Sequence, residues 1–422
     1  MKSNFRNLAL ALLVLGGTNM YAQKNSRSID NYREPDKAGV NVFEAPKDTV
    51  STFEELKVRI GGSSTLQFQA MSHENSGDVP LVDIGNNFNL ATANLDIDVA
   101  LYDGIRMHLR TYLSSRHHPE PYVKGGYFQI DKLNFIEEGF LDNLMKYTTI
   151  KVGHMENNYG DAHFRRTDNA QAIYNPFVGN LIMDAFTTEV GAEVYYRRDG
   201  FIGMVGFTNG KLNQSVDNPG SGGASFLAKL GYDKQVNNDL RFRLTGSVYT
   251  TGKVANSYLY SADRAGSRYY LVLEAEGAKP AAAFRSGRYD PKMGNQITAV
   301  MFNPFIKYKG LEFFGTYERT SGKTQAETDE RVANQYAAEL IYRFGNNENF
   351  FLGGRYNKVD SEDISGDDIE ISRFQVGAGW FMTRNILLKA EYVSQSHKGY
   401  SAGSILNDGK FDGLVAEAVI SF

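Results

Sequence analysis

The chain has 422 residues, among them 42 glycines, 27 phenylalanines and 25 tyrosines, and it contains no cysteine. Without cysteine it is neither a disulfide-stapled domain nor a lipoprotein that is acylated on cysteine. The formal net charge of -4 excludes a generic binder of polyanions, so no nucleic-acid partner is expected.

The first predicted element is a secretory signal peptide. Lys2 and Arg6 precede the apolar run Leu8–Leu15, which is too short to cross a membrane as a helix. We expect cleavage after Ala22, so that residues 1–22 are removed. Residues 23–56 are charged and lack apolar periodicity, and this pattern predicts a periplasmic N-terminal extension that is poorly ordered or lightly docked.

Over residues 57–422, apolar and polar residues alternate with period two in segments joined by alternating short turns and long loops. Short turns are predicted at Arg198-Asp199-Gly200 and Lys309-Gly310, and long loops at 156–186 and 251–295. Counting predicts about sixteen strands, an even number, as single-chain bacterial barrels require. The expected fold is therefore all-β, a transmembrane antiparallel barrel with short periplasmic turns and long external loops in the outer membrane of a Gram-negative bacterium.

Two details of this pattern are open to direct comparison with a structure. Strands are predicted at Tyr127–Ile136 and Tyr147–His154, and a last strand at Gly413–Phe422 has the length and terminal aromatic of a strand that crosses a bilayer. Aromatic residues next to the short turns predict a girdle at the membrane interface: Tyr102, Tyr147, Tyr196, Phe201, Tyr232, Tyr308, Phe344, Phe350, Trp380, Phe381 and Phe422.

Charged residues of the predicted strands share one face. If the turn at 102–104 keeps the parity of pairing, Asp96 and Asp98 lie opposite Arg110 and His108. An arginine at the bilayer midplane would cost about 2–4 kcal/mol, so this face must line water. The same parity places further charged residues inside: Arg106, Lys151, Glu189, Glu193, Arg197, Lys229, Arg241, Arg243, Glu339, Arg343, Arg355, Arg373, Lys389 and Glu391.

Four short motifs within residues 147–210 carry a family resemblance: Lys151-Val152-Gly153-His154, Asn158-Tyr159-Gly160, Val190–Val194 and Gly206–Gly210. They resemble the phosphate-selective porin O and P family. The resemblance implies a trimeric outer-membrane channel whose third external loop folds inward.

In chain order the third long loop is 156–186. The resemblance implies that this loop forms the constriction, with Arg165 and Arg166 contacting passing anions next to His163 and Asp168. A solvated charge cluster is the alternative interpretation. The arginine ladder and lysine ring of the family have no residue-by-residue match, and Arg241 and Arg243 are only a candidate fragment of the ladder.

The predicted function is a porin that forms a water-filled channel for passive diffusion of small hydrophilic solutes, with anions such as phosphate among them. Expected partners are outer-membrane lipid, lipopolysaccharide, small solutes and two further copies in a homotrimer; no cofactor is expected. One alternative is a structural or assembly subunit whose barrel is blocked by its loops. Another is a barrel enzyme, although His154 and His163 have no accompanying serine motif. His117-His118 with Glu120 suggests either a metal site or ordinary surface residues.

Overall fold

A computed structural model gives the fold of most of the chain. The residues that it describes are 29–114, 121–211, 223–254, 256–261 and 265–422. The predicted signal peptide and the histidine pair at 117–118 lie outside the described residues.

Sixteen antiparallel strands form one closed barrel. They are β1 (Lys57–Glu74), β2 (Asn87–Tyr102), β3 (Ile105–Leu113), β4 (Tyr122–Ile130), β5 (Thr148–Glu156), β6 (Thr188–Arg198), β7 (Phe201–Thr208), β8 (Ser225–Gln235), β9 (Leu240–Thr251), β10 (Gln296–Tyr308), β11 (Leu311–Lys323), β12 (Arg331–Phe344), β13 (Phe350–Glu362), β14 (Asp368–Thr383), β15 (Ile386–Lys398) and β16 (Lys410–Ser421). Each strand pairs with its neighbours in sequence, and β1 closes the barrel on β16. The predicted fold class is confirmed.

The alternation of the strands sorts their side chains between the outside and the lumen. In the register of β2 and β3, Asp96 is opposite Arg110 and Asp98 is opposite His108, as parity predicts. All four side chains point inward, and the Arg110 guanidinium donates to both oxygens of Asp96 at 2.7 Å. Charge is thereby kept away from the outer face, where Leu95 and the other large apolar side chains are exposed.

Aromatic rings gather at the short-turn end of the barrel. Phe344, Phe350 and Trp380 stack in a row, with ring centroids 5.8 and 5.9 Å apart. Phe381 was expected in the same girdle, and this is wrong. Its side chain is buried and packs on Phe351 inside the barrel, because adjacent residues of a strand point to opposite faces.

The connection between β4 and β5 corrects a predicted strand boundary. The predicted strand Tyr127–Ile136 ends at residue 130, and residues 131–147 form a longer connection that contains the one-turn helix α1 (Asp142–Met145). Asp131 ends the strand by accepting hydrogen bonds from the side chains of Gln129 and Thr149. The remaining helical turns are short 3-10 segments: Lys37–Gly39, Ala162–Arg165 and Asn346–Glu348. No helix in the described residues is long and apolar enough to span a membrane.

Residues 29–48, here called the N-terminal segment, cross the short-turn end of the barrel. Asp36 pairs with Arg384 in the turn between β14 and β15 at 2.6 Å. Lys47 pairs with Asp131 after β4 at 2.9 Å. The expectation of a poorly ordered or lightly docked extension is therefore wrong for this segment. Its charges find partners on strands far away in sequence, which a search for local periodicity does not detect.

Candidate functional site: a cavity in the barrel lumen

Residues 157–187 between β5 and β6, here called the third loop, lie inside the barrel. Their backbone is held by inward-facing side chains of the opposite wall. Lys389 donates to the carbonyl oxygen of Phe177 at 2.7 Å, and Glu391 accepts from the amide of Val178 at 2.8 Å. Because these strand residues are themselves buried, each contact satisfies a polar group that would otherwise be costly inside the lumen. The loop is thus fixed against β13–β15.

The charged residues at the start of the third loop are buried in ion pairs. Arg165 pairs with Glu339 at 3.2 Å. Arg166 pairs with Asp184 at 2.6 Å and also contacts Asp168. Burial on its own would raise the pKa of Asp184, but the charges of Arg166 and Arg288, together with the hydrogen bonds from Arg166 and Asn180, lower it. In this arrangement the two arginines hold the loop in place, and neither faces the open space of the lumen.

His163 lies between the third loop and the end of β5. Its Nδ1 is 2.5 Å from a Glu156 oxygen and its Nε2 is 3.0 Å from the amide oxygen of Asn158. Burial lowers the pKa of His163, and the nearby Glu156 charge only partly opposes that effect. The ring therefore acts as a buried spacer that positions Glu156 at the edge of the lumen.

Arg241 and Arg243 point into the lumen from β9, and each one is already paired. Arg241 pairs with Asp233 at 2.6 Å. Arg243 pairs with Glu44 of the N-terminal segment at 2.7 Å and with Asp161 of the third loop at 2.8 Å. The two arginines thus join three parts of the chain and do not form a ladder of open anion sites.

Glu44, Asp161, Lys229 and Arg243 together form what we call the Arg243 cluster. Lys229 lies 3.0 Å from Asp161 and 3.8 Å from Glu44. Burial would raise the pKa of Asp161, but the Arg243 and Lys229 charges lower it to about 2. Burial would likewise raise the pKa of Glu44, but the Arg243 and Lys229 charges hold it well below its usual range. Both carboxylates are therefore ionised at neutral pH.

Described residues of the longest connection, between β9 and β10, also lie in the lumen. Arg268 pairs with Glu417 of β16 at 3.3 Å, and Arg288 pairs with Asp184 at 3.2 Å. Arg268 also donates to the carbonyl oxygen of Thr167 in the third loop at 2.9 Å. These arginines therefore brace the third loop from the long-loop end.

A cavity of ≈ 160 Å³ remains between the N-terminal segment, the third loop and the wall formed by β3–β6. The basic side chains that line it outnumber the acidic ones: Arg33, Arg106, Arg110, Lys124 and Lys151 against Glu44 and Glu156. In a space with walls of low dielectric, an excess of basic side chains favours a positive potential.

Three residues that sequence parity placed in the lumen therefore meet at this cavity: Arg106, Arg110 and Lys151. Asp96 and Asp98 stand behind them, where Asp96 holds Arg110 and Asp98 accepts from His108 at 2.7 Å. Lys151 differs from its neighbours, because it makes no ion pair or hydrogen bond with the described residues. Its ammonium lies over the rings of Tyr127 and Tyr195.

Several lining residues were not singled out by sequence reasoning. Tyr32, Arg33 and Glu44 belong to the N-terminal segment, and only their long-range contacts bring them here. Lys124 precedes the predicted strand Tyr127–Ile136, although it lies on β4. Lys124 stands two residues before Gly126-Tyr127 on an alternating segment, and this pattern could have indicated an inward-facing lysine.

No protein-family profile matches the sequence, and no curated protein matches it. Solved structures do share its fold. An anion-selective porin from Comamonas acidovorans has a TM-score of 0.54 at 11% identity, covering 87% of this chain and 100% of its own. OprB from Pseudomonas putida has a TM-score of 0.53 at 12% identity, covering 86% and 94%. OmpT, an outer membrane protein of Vibrio cholerae in trimer form, has a TM-score of 0.52 at 13% identity, covering 87% and 100%. The chain has the fold of these outer-membrane proteins.

Proposed function

We propose that this protein is an outer-membrane porin of a Gram-negative bacterium, through which small hydrophilic solutes diffuse passively with a preference for anions. The carrying observation is the lumen cavity with its excess of basic side chains, Arg106 and Lys151 among them. The polar lumen inside a closed apolar barrel supports the membrane location. Phosphate as the preferred anion has only the motif resemblance in its favour.

The proposal includes an orientation and an assembly. The short turns would face the periplasm, and the N-terminal segment would close the barrel from that side. The outer face would contact lipid, and the long loops would contact lipopolysaccharide. A homotrimer is proposed from the resemblance, and the trimer form in which OmpT was described agrees with it.

Replacing Lys151 with glutamate is expected to shift the reversal potential in a salt gradient towards cations. The ammonium stands in a narrow space where a charge acts at an effective dielectric far below that of water. Planar-bilayer recordings of the wild type and Lys151→Glu provide the measurement. The matched control is Lys398→Glu, whose side chain is 67% exposed on the long-loop end and is screened by salt over about 8–10 Å.

Two outcomes of this experiment would contradict the proposal. If the wild type conducts and neither variant alters selectivity, ions pass by a route that avoids the cavity. If the wild type does not conduct at all, the porin function fails.

The orientation predicts a labelling pattern on intact cells. An impermeant thiol reagent is expected to label Ser365→Cys, which lies in the exposed connection between β13 and β14, and to leave Arg198→Cys unlabelled. The chain has no cysteine of its own, so the signal has no background. Labelling of Arg198→Cys alone would mean that the barrel is inserted the other way round.

A structural or assembly subunit is the second candidate function. Described residues of the third loop, of the connection between β9 and β10 and of the N-terminal segment are buried inside the barrel, which favours a barrel that does not conduct. Absence of single-channel conductance in the wild type would support this candidate. The structure gives less support to the barrel-enzyme alternative, because the side-chain partners of His163 are Glu156 and Asn158 and not a serine.

A further inference from the structure

We infer that the lumen cavity is a binding site for small carboxylates carried on a single six-membered ring. This inference rests on the proposed porin function, and it names the class of solute that the passage favours. It depends on two cations without a carboxylate partner and on the aromatic rings around them.

Lys151 is the first of the two cations. In the pairing of β5 with β6 it stands opposite Glu193, and that carboxylate would be its natural partner. The Glu193 oxygens are instead occupied by the amide of Asn158, at 2.9 Å, and by the hydroxyl of Tyr195. The half-buried ammonium of Lys151 can therefore donate its hydrogens to a ligand in the cavity.

Arg106 is the second cation. Its Nη2 donates to the amide oxygen of Gln129 at 2.6 Å, and its buried Nε has no hydrogen-bond partner. No carboxylate lies within ion-pair distance of it among the described residues. Asp98, a nearby acid on the wall, is held by His108 at 2.7 Å and by Arg59 at 3.1 Å.

A single ring connects the two cations. The ammonium of Lys151 lies 5.5 Å from the centroid of the Tyr127 ring, and the guanidinium of Arg106 lies 6.0 Å from it. Tyr32, Tyr174 and Tyr195 complete an aromatic lining around the same space. A ligand that fits here has an anionic group for the cations and a flat face for the rings.

The size and chemistry of the cavity favour an organic anion over inorganic phosphate. The cavity measures ≈ 160 Å³, and an engineered protein cavity of about 150 Å³ is known to bind benzene. Phosphate would need several strong donors to replace its water, whereas two of the lining arginines are already used: Arg110 pairs with Asp96, and Arg33 donates to the carbonyl oxygens of Gly39 and Phe164. A ring-borne carboxylate needs fewer donors and gains contact with the tyrosines.

The acceptors that line the cavity are consistent with a ligand that also carries hydroxyl groups. The side-chain oxygens of Asn169 and Gln171 are buried without a hydrogen-bond donor. The nitrogens of both side chains donate to Glu156, at 2.9 and 2.7 Å, which aims their amide groups. Binding of a sugar acid would use these oxygens, whereas binding of an aromatic acid would not.

The test is equilibrium binding to the full-length protein in a neutral detergent, measured by saturation-transfer NMR and titration calorimetry. The probes are benzoate, glucuronate, benzamide and inorganic phosphate. We expect at least one of the two carboxylates to bind. Benzamide, which has the same ring without the charge, and phosphate are expected to bind at least tenfold more weakly.

The Lys151→Met variant keeps the bulk of the side chain without its charge. It is expected to weaken carboxylate binding about tenfold or more, which is the loss typical of a charge-assisted hydrogen bond. Tyr127→Leu should weaken binding while leaving both cations in place. Lys398→Met, on the outside of the barrel, should bind like the wild type. Heat-modifiability on gels shows that each variant is folded.

The outcomes separate this site from the porin function. Absence of carboxylate binding to a conducting wild type would overturn the site and leave the porin function standing. Carboxylate binding by a protein that does not conduct would support the site and overturn the porin function. Equal binding of phosphate and the carboxylates, or wild-type binding by Lys151→Met, would also overturn the site.

Discussion

Deletion of residues 29–48 is expected to raise the single-channel conductance of the barrel several-fold. The N-terminal segment spans the short-turn mouth from Arg384, in the turn after β14, to Asp131, just after β4. Phe43 of the segment is buried, and the centroid of its ring lies 5.4 Å from that of Phe305 on the lumen wall. Removal of the segment opens the end of the lumen that the third loop leaves uncovered. Planar-bilayer recordings of folded protein provide the measurement.

The control for this deletion is a synthetic peptide of residues 29–48, added back from the side of the short turns. It is expected to lower the conductance of the deletion variant and to leave the wild type unchanged. The milder variant Glu44→Gln removes one charge of the contact with Arg243 and should give a smaller increase. A folded deletion variant with wild-type conductance would show that the segment does not limit the passage.

The fold was predictable from the sequence because the barrel is built from local rules. Period-two alternation assigns each strand residue to one face, and short turns preserve parity from strand to strand. Asp96 and Arg110 could therefore be paired from sequence alone, and the structure pairs them at 2.7 Å. The prediction failed where the structure does not follow these local rules. The strand expected over Tyr127–Ile136 stops at residue 130, where Asp131 begins a longer connection.

The candidate site was less predictable, because it depends on which lumen charges are already paired. In the sequence, parity makes Arg243 and Lys151 equivalent inward-facing cations, and the family resemblance adds Arg165 and Arg166 of the third loop. The structure gives the three arginines carboxylate partners and leaves Lys151 facing the cavity. Those partners come from the distant strand β12, from the third loop and from the N-terminal segment, so a one-dimensional pattern has no access to them.

Replacement of Arg243 with methionine is expected to cause the largest loss of stability among single substitutions in the lumen. Arg243 is fully buried and pairs with Glu44 and Asp161, so among the described residues its removal leaves Lys229 as the one cation within ion-pair distance of these two carboxylates. Breaking a buried pair in this way typically costs about 3–5 kcal/mol. The matched control is Arg241→Met, because Arg241 and its partner Asp233 are partly exposed and such pairs contribute about 0–1 kcal/mol.

The dependence of stability on pH provides a second, independent test of this prediction. In the wild type the pKa of Asp161 is lowered to about 2, and that of Glu44 is well below its usual range. Their stabilising effect is therefore complete above the unfolded pKa values of about 4. It is lost as the pH falls from there through the folded pKa values.

In Arg243→Met one buried carboxylate has no counter-charge, so burial should raise its pKa above the unfolded value and acidification should stabilise the variant. Melting temperatures in detergent between pH 7 and pH 4, compared with Arg241→Met at each pH, provide the measurement. We expect Arg243→Met to melt well below the control at pH 7, with a difference that narrows as the pH falls. Equal melting temperatures at pH 7 would mean that the Arg243 cluster does not hold the N-terminal segment and the third loop in the barrel.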